Sequence, residues 1–233
     1  MSTDFDPSVF ADIPDPLAAA PAERASAAPT PPAQVIAAAA AEAGPTAAEL
    51  RRRRWIAAGA AALWLAFVLA LEGVRQDFAW SPILLLQSLL PALLSAGAWW
   101  LAMSPGPVGL GPSARTVVVF AVVAPLTFVA SAFLSPCLVG PPIARHAFLC
   151  GDWILLLGAI SLGIIGMVQR RTVAAGAHHK SLLLGISAGF GAAAVHSLHC
   201  DNTTGIHVAI GHTWPVVVLG LLGLFFVRRA VRA

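Results

Sequence analysis

Six apolar stretches, each of roughly twenty residues, alternate with short polar segments along most of the chain. An α-helix rises about 1.5 Å per residue, so stretches of this length can cross a hydrocarbon core of about 30 Å. The pattern therefore predicts six membrane-spanning helices. Their approximate bounds are residues 55–71, 83–103, 117–138, 153–168, 181–199 and 207–227.

The composition agrees with this pattern. Apolar residues make up 58% of the 233 residues, charged residues make up 11%, and the mean hydropathy is +0.80. Soluble domains carry about 25% charged residues. The sequence therefore predicts an all-α integral membrane protein, a bundle of six transmembrane helices that has the lipid bilayer as a partner.

Basic residues predict the orientation of these helices, because cytoplasmic loops are enriched in Lys and Arg. Of the 14 Lys and Arg residues, all except Arg75 and Arg145 fall on one side of a six-span arrangement. Both termini are therefore expected in the cytoplasm. The N-terminus carries acidic residues and has no apolar run, so we expect no cleaved signal peptide. The loops expected outside are residues 72–82, 139–152 and 200–206.

Residues 1–50 differ from the rest of the chain. Ala and Pro dominate this stretch, Arg24 is its one basic residue, and large apolar residues are too few to bury a core. We predict a disordered, acidic cytoplasmic tail before a transmembrane domain at residues 51–233. A solvated linker is the simplest interpretation, but apolar residues in an acidic background also suit a segment that folds on a basic partner. The candidate partner-binding residues are Phe5, Phe10, Ile13 and Leu17.

Ionisable groups are absent from the centres of the predicted spans. Coupled transporters usually place such groups near the membrane midplane, and the sequence has no catalytic constellation. We therefore predict neither an enzyme nor a small-molecule substrate, and no direct contact with nucleic acid. The alternative is a small permease, exporter or metal-handling protein with an outer Cys/His site. A haem protein would require His196 to face His212 at a matched depth.

The fifth predicted span is rich in small residues, which let neighbouring helices approach closely. Steps of three and four residues place several of these on one helical face that ends in an imidazole and a thiol. We therefore expect a central packing helix that leads to a candidate site at the outer membrane boundary. The residues on this face are Gly185, Gly189, Ala192, His196 and Cys200.

Two chemistries remain open for Cys150 and Cys200, which both lie at outer helix ends in this arrangement. They suit a disulfide in an oxidising compartment, or a zinc, copper or cadmium ion bound together with histidine. No cofactor is required in the first case. The metal candidates are Cys150, Cys200, His199 and His196, with His146 and His207 also within reach. Cys137 is most simply an unpaired, packed thiol.

The chain resembles the NrsF-type membrane anti-sigma factors over about residues 50–233. The resemblance rests on the basic start Arg51–Arg54, the outer Leu149-Cys150-Gly151, the Ser197–Cys200 sequence that ends the fifth span, and the basic end Arg228-Arg229. Its most specific element is Leu198-His199-Cys200, paired with a cysteine fifty residues earlier.

This resemblance implies a function. It implies an N-terminal part that holds an extracytoplasmic-function (ECF) sigma factor inactive at the bacterial inner membrane. It also implies that two outer cysteines are required for stress signalling, often by heavy metals. Matched to this sequence, those signal-sensing residues are Cys150 and Cys200.

Overall fold

The computed structural model describes residues 45–75, 82–104, 111–134, 144–170, 177–202, 204–227 and 229. Every regular element in these ranges is helical, as the sequence predicts. The residues from Pro45 onward form one compact unit. Four candidate partner-binding residues of the tail and the third cysteine lie outside the described residues. They are Phe5, Phe10, Ile13, Leu17 and Cys137.

Helix α1 (Ala47–Glu72) begins before its apolar part because a polar cap holds its first turn. The Thr46 hydroxyl accepts a hydrogen bond from the backbone N–H of Glu49, which satisfies one of the amides that a helix start leaves unpaired. Glu49 also forms an ion pair with Arg53, one turn later. The helix ends at Gly73, whose φ of 79° favours glycine.

Three further long helices follow: α2 (Pro82–Met103), α3 (Ala114–Phe133) and α4 (Ala144–Val168). Pro91 lies inside α2 and Pro125 lies inside α3. The third predicted span, residues 117–138, is too long at its end: α3 ends at Phe133 rather than near residue 138.

Five helical segments among the described residues are long and apolar enough to cross a membrane: Ala47–Glu72, Leu85–Met103, Ala114–Phe133, His146–Val168 and Gly205–Val227. Large apolar side chains such as Trp55, Leu63 and Trp100 are exposed on their outer surfaces, as expected of side chains that face lipid. The molecule is therefore a helical membrane protein. The fifth predicted span, residues 181–199, falls on α5 (Ala177–Ser197), which has 21 residues but a lower apolar content, and its membrane crossing stays a prediction.

Helix α5 forms the centre of the bundle, as its small residues predict. It packs against α2, α4 and the last helix, and most of its side chains are buried. Ser95 and Ser187 bridge α2 and α5 by donating reciprocal hydrogen bonds to each other's carbonyl oxygens, at 2.8 and 2.9 Å. Burial by other helices, rather than by lipid, explains how α5 tolerates so many Gly, Ala and Ser residues.

The last predicted span, residues 207–227, is one helical segment with a break. Helix α6 (Gly205–Gly211) ends at His212, and α7 (Trp214–Leu222) continues into a π-helical turn (Gly223–Val227). Pro215 lies in the first turn of α7, where its missing N–H costs no helical hydrogen bond. Pro215 therefore marks a restart of the helix, three residues after His212.

The bundle has two chemically different ends. At the basic end, the Arg53 guanidinium donates to the Arg170 carbonyl, and Arg54 lies near Lys180. At the opposite, thiol end, Arg75 follows α1 and donates to the Cys200 carbonyl at 2.6 Å. Helix α5 starts at the basic end and finishes at the thiol end, so it runs the length of the bundle beside α1.

Candidate functional site

At the thiol end, two cysteines and three histidines from consecutive elements of the chain lie close together. Cys150 lies in the second turn of α4, and His196 lies in the last turn of α5. After Ser197 the chain tightens, and the Cys200 N–H donates to the His196 carbonyl at 2.8 Å. His207 lies within α6 and His212 follows it.

A short polar turn fixes the path from Cys200 to His207. The Asn202 side-chain oxygen accepts hydrogen bonds from the backbone N–H and the hydroxyl of Thr204, at 3.1 and 2.9 Å. Side chains of this type commonly replace backbone partners in tight turns. The chain can therefore change direction within a few residues, and α6 packs against α3 and α4.

Glycines let α6 and α7 approach the other helices at this end. A Cβ atom at Gly211 would lie 2.7 Å from the Ala147 carbonyl oxygen in α4, and one at Gly205 would lie 2.7 Å from the Ala132 carbonyl oxygen in α3. The indole of Trp214 lies directly against Gly151, where any Cβ atom would overlap it. These close approaches bring His207 up to the thiols.

The two sulfur atoms are neighbours in the structure. The Sγ atoms of Cys150 and Cys200 are 3.8 Å apart, and both residues are free thiols. Cys150 is half-buried and Cys200 is buried. The Cys200 Sγ is also 3.3 Å from Nε2 of His207 and 3.5 Å from the Asn202 carbonyl oxygen.

The three histidines are almost wholly buried, with exposed fractions of 3% for His196, 3% for His207 and 1% for His212. Their rings make edge contacts, with centroids 5.4 Å apart for His196 and His212, and 5.6 Å apart for His207 and His212. His196 and His212 do face each other at a matched depth. Their rings are in contact, however, so no porphyrin can lie between them.

Polar neighbours lower the pKa of the Cys200 thiol, which lies in the turn outside the helices. A hydrogen bond from the Cys150 thiol is the largest cause, and the nearby imidazoles of His196, His207 and His212 add to it, while burial acts in the opposite direction. The thiolate is the form of cysteine that attacks disulfides and binds metal ions. The neighbours of Cys200 therefore favour its chemically active form.

Two sets of donor atoms at this end have the spacing of metal ligands. One set comprises Cys150, Cys200 and His207, and the other comprises His196, Cys200 and His212; in each set all ligand atoms lie within 4.8 Å of one another. A cavity of about 410 Å³ borders the first set. It is lined by His146, Leu149, Cys150, Trp153, His196, His199, Cys200, Asp201, Asn202 and His207.

The structure thus brings together three of the four predicted metal candidates, Cys150, Cys200 and His196. The fourth, His199, lines the cavity but belongs to neither donor set. His207 and His212 take part instead. The sequence indicated His207 and His212 only weakly. The one indication was that His207 lies between Gly205 and Gly211, two glycines of the kind that let neighbouring helices approach closely.

Away from this end, the buried polar side chains among the described residues are Ser, Thr and Gln, and no buried Asp, Glu, Lys or Arg occurs there. Ser187, which lies toward the basic end from His196, is already hydrogen-bonded to Ser95. The described part of the bundle thus offers no continuous series of ionisable groups leading inward from the site.

Comparison with known proteins places the chain in a family. The family NrsF, negative regulator of sigma F, matches residues 26–232, which confirms the resemblance seen in the sequence. No curated protein and no solved structure matches the chain. The chain therefore belongs to the NrsF family of negative regulators of sigma F, and so has an anti-sigma factor role with a sigma factor as its partner.

Proposed function

We propose that the chain is an anti-sigma factor of the bacterial inner membrane that sequesters an ECF-type sigma factor through its cytoplasmic side. It releases the sigma factor when Cys150 and Cys200 sense a heavy metal or a redox stress at the outer face. The observation that carries this proposal is the 3.8 Å separation of the two free thiols. Two reactive groups in contact, remote from the basic end, suit a sensor.

The distribution of charge supports this orientation. Arg53, Arg54, Arg170 and Lys180 lie at the basic end, and the positive-inside rule assigns such an end to the cytoplasm. The thiol end then faces outward. In this arrangement α5 crosses the membrane in addition to the five more apolar segments: its 21 residues cover about 31 Å at about 1.5 Å per residue, which matches a hydrocarbon core.

The cytoplasmic tail is the proposed docking segment for the sigma factor. The acidic residues of positions 1–50 complement a basic protein surface, and Phe5, Phe10, Ile13 and Leu17 supply apolar contacts. Segments of this kind order on binding and lose that order on release. A change within the bundle can then control the partner by altering how the tail is presented.

Topology provides the first test. With six spans, a reporter fused after Ala233 is expected to be active only in the cytoplasm. Reporters inserted at residues 172–176 and 201–203 are expected to report the cytoplasm and the outside, respectively. If α5 does not cross the membrane, these two insertions will report the same side. A C-terminal fusion active only outside would contradict the proposed orientation.

Partner capture provides the second test. The full chain, purified from its own cells with mild detergent, is expected to carry a sigma factor that mass spectrometry identifies. Deletion of residues 2–49 should remove this partner and leave the target promoter constitutively active, while the membrane domain still inserts. A matched variant keeps the tail but replaces its four candidate partner-binding residues, Phe5, Phe10, Ile13 and Leu17, with Ser. It should also lose the partner. Normal repression by the deletion variant would refute docking through the tail.

A further inference from the structure

We propose that Cys150, Cys200 and His207 bind one divalent cation of the zinc and cadmium class, with His196 as the fourth ligand. Three of these side chains already form a donor set, and His196 lines the same cavity. The role of the ion as a signal rests on the proposed anti-sigma function, but its binding does not. The site replaces His199, the ligand that sequence reasoning favours, with His207.

The distances between donor atoms match those around a tetrahedral ion. With metal–sulfur bonds of about 2.3 Å and metal–nitrogen bonds of about 2.0–2.1 Å, two sulfur ligands stand about 3.8 Å apart and a sulfur and a nitrogen about 3.5 Å apart. The observed separations are 3.8 Å between the sulfurs and 3.3 Å from Cys200 Sγ to His207 Nε2. These two separations therefore suit an ion held by Cys150, Cys200 and His207 without a large movement of the sulfurs, whereas a disulfide requires the sulfurs to approach to about 2.05 Å. His196 shares its donor set with Cys200 and His212, so its side chain completes the proposed site from the other side of Cys200.

Unused ring nitrogens provide an independent reason for a ligand. Neither ring nitrogen of His196 has a hydrogen-bond partner among the described residues, and Nδ1 of His207 has none there either. Both side chains are 3% exposed. Buried polar atoms are rarely left unsatisfied in folded proteins. Coordination to a cation gives the His196 lone pair a partner that the rest of the described structure does not supply.

His212 is held by its own partner, which distinguishes it from the proposed ligands. The Ser197 hydroxyl donates to the Ala193 carbonyl at 2.8 Å, so His212 Nδ1–H donates to the Ser197 oxygen at 3.2 Å. This leaves Nε2 of His212 as an acceptor that has no hydrogen-bond partner among the described residues and that shares a donor set with Cys200 and His196. Because His212 does not line the cavity that borders Cys150 and His207, it is not a ligand of the proposed ion.

The donor chemistry selects the class of ion. Two thiols and imidazole suit zinc, copper and cadmium, while magnesium and calcium prefer oxygen ligands. Asp201 is exposed at the rim of the cavity, where its carboxylate attracts cations. Since the ligands come from α4, the turn after α5, and α6, a bound ion ties these segments together at the thiol end.

The test uses the purified full chain in detergent with a non-thiol reductant, titrated with Cd²⁺. We expect one ion per chain, with sulfur-to-metal charge-transfer absorption in the ultraviolet. Zn²⁺ should compete, and a large excess of Mg²⁺ should not. C150S, C200S and H207A should each weaken binding by about 100-fold or more, since loss of outer-shell partners alone costs about 10- to 100-fold.

Two histidine variants are matched controls. H199A removes an imidazole from the same cavity but from neither donor set, so its affinity should equal that of the unmodified chain. H212A should retain stoichiometric binding. Competition by Mg²⁺ with the unmodified chain, full-strength binding by C150S, or equal losses in H199A and H207A would each overturn the site. The Mg²⁺ competition uses only the unmodified chain, so this outcome does not depend on whether a variant folds.

The binding test and the test of function are independent. Cd²⁺ binding by a chain that captures no sigma factor would retain the ion site and refute the proposed function. Sigma capture and repression by a chain that binds no Cd²⁺ would retain the function and refute the ion site.

Discussion

Replacing Gly185 with Ala is expected to destabilise the bundle severely. A Cβ atom at this position would overlap the Leu219 carbonyl oxygen and lie 2.8 Å from the Leu219 carbonyl carbon. Overpacking a core typically costs about 1–3 kcal/mol, and backbone atoms yield less easily than side chains. Loss of close contact between α5 and α7 should lower the thermal midpoint and the yield of monodisperse protein in detergent.

The control is the same substitution at a helical glycine that has open space. A Cβ atom at Gly163 in α4 would meet no atom within 4 Å. Alanine is preferred to glycine in a helix by about 1 kcal/mol, so G163A should be as stable as the unmodified chain or more stable. If G185A unfolds at the same temperature as G163A, then α5 and α7 do not pack as described.

Helix positions were predictable from the sequence to the extent that apolar runs determine them. The first predicted span starts at Trp55, but α1 starts at Ala47, since hydropathy detects only the membrane-facing part. The Thr46 cap and the Glu49–Arg53 ion pair extend the helix into water. In the last span His212 and Thr213 interrupt the apolar run at the break, but a window of about twenty residues averages over two polar positions, so hydropathy alone predicts one unbroken helix.

The depth of the site in the membrane could be predicted from the sequence, but the rotation of the helices that form it could not. Counting residues from the ends of the spans placed Cys150 and Cys200 at one level, and the structure places their sulfur atoms in contact. Hydropathy cannot specify which way each helix faces. The contacts of Gly205 and Gly211 with neighbouring backbones set the rotation of α6, and they point His207 rather than His199 at the thiols.

Serine at position 150 or 200 is expected to leave repression intact and abolish induction. In each variant the bundle and the tail remain, so the sigma factor is still held, but the pair of thiols needed to form a disulfide or bind a metal ion is lost. Each should therefore give a low, stress-independent signal from a sigma-dependent reporter. The double variant should be no worse than either single one, because residues that act as a unit are not additive.

The mechanism requires that the bundle have two packings of similar free energy. A signal shifts such an equilibrium only by its different affinity for the two states. Cys200 directly follows α5, the most buried helix, and its carbonyl accepts a hydrogen bond from Arg75 beyond the end of α1. A change in bonding at the Cys200 sulfur therefore acts on α5 and α1, which both run between the thiol end and the basic end.

Substitutions of the histidines separate the two kinds of signal in the same reporter assay. H207A should weaken induction by cadmium if the thiols bind a metal ion, and should change little if they form a disulfide; H196A should behave in the same way with a smaller effect. Membrane levels of each variant, measured by immunoblot, control for loss of the protein. Full induction by every stress in the double Cys→Ser variant would refute the assignment of Cys150 and Cys200 as the sensor, because no change in thiol bonding is then available to it.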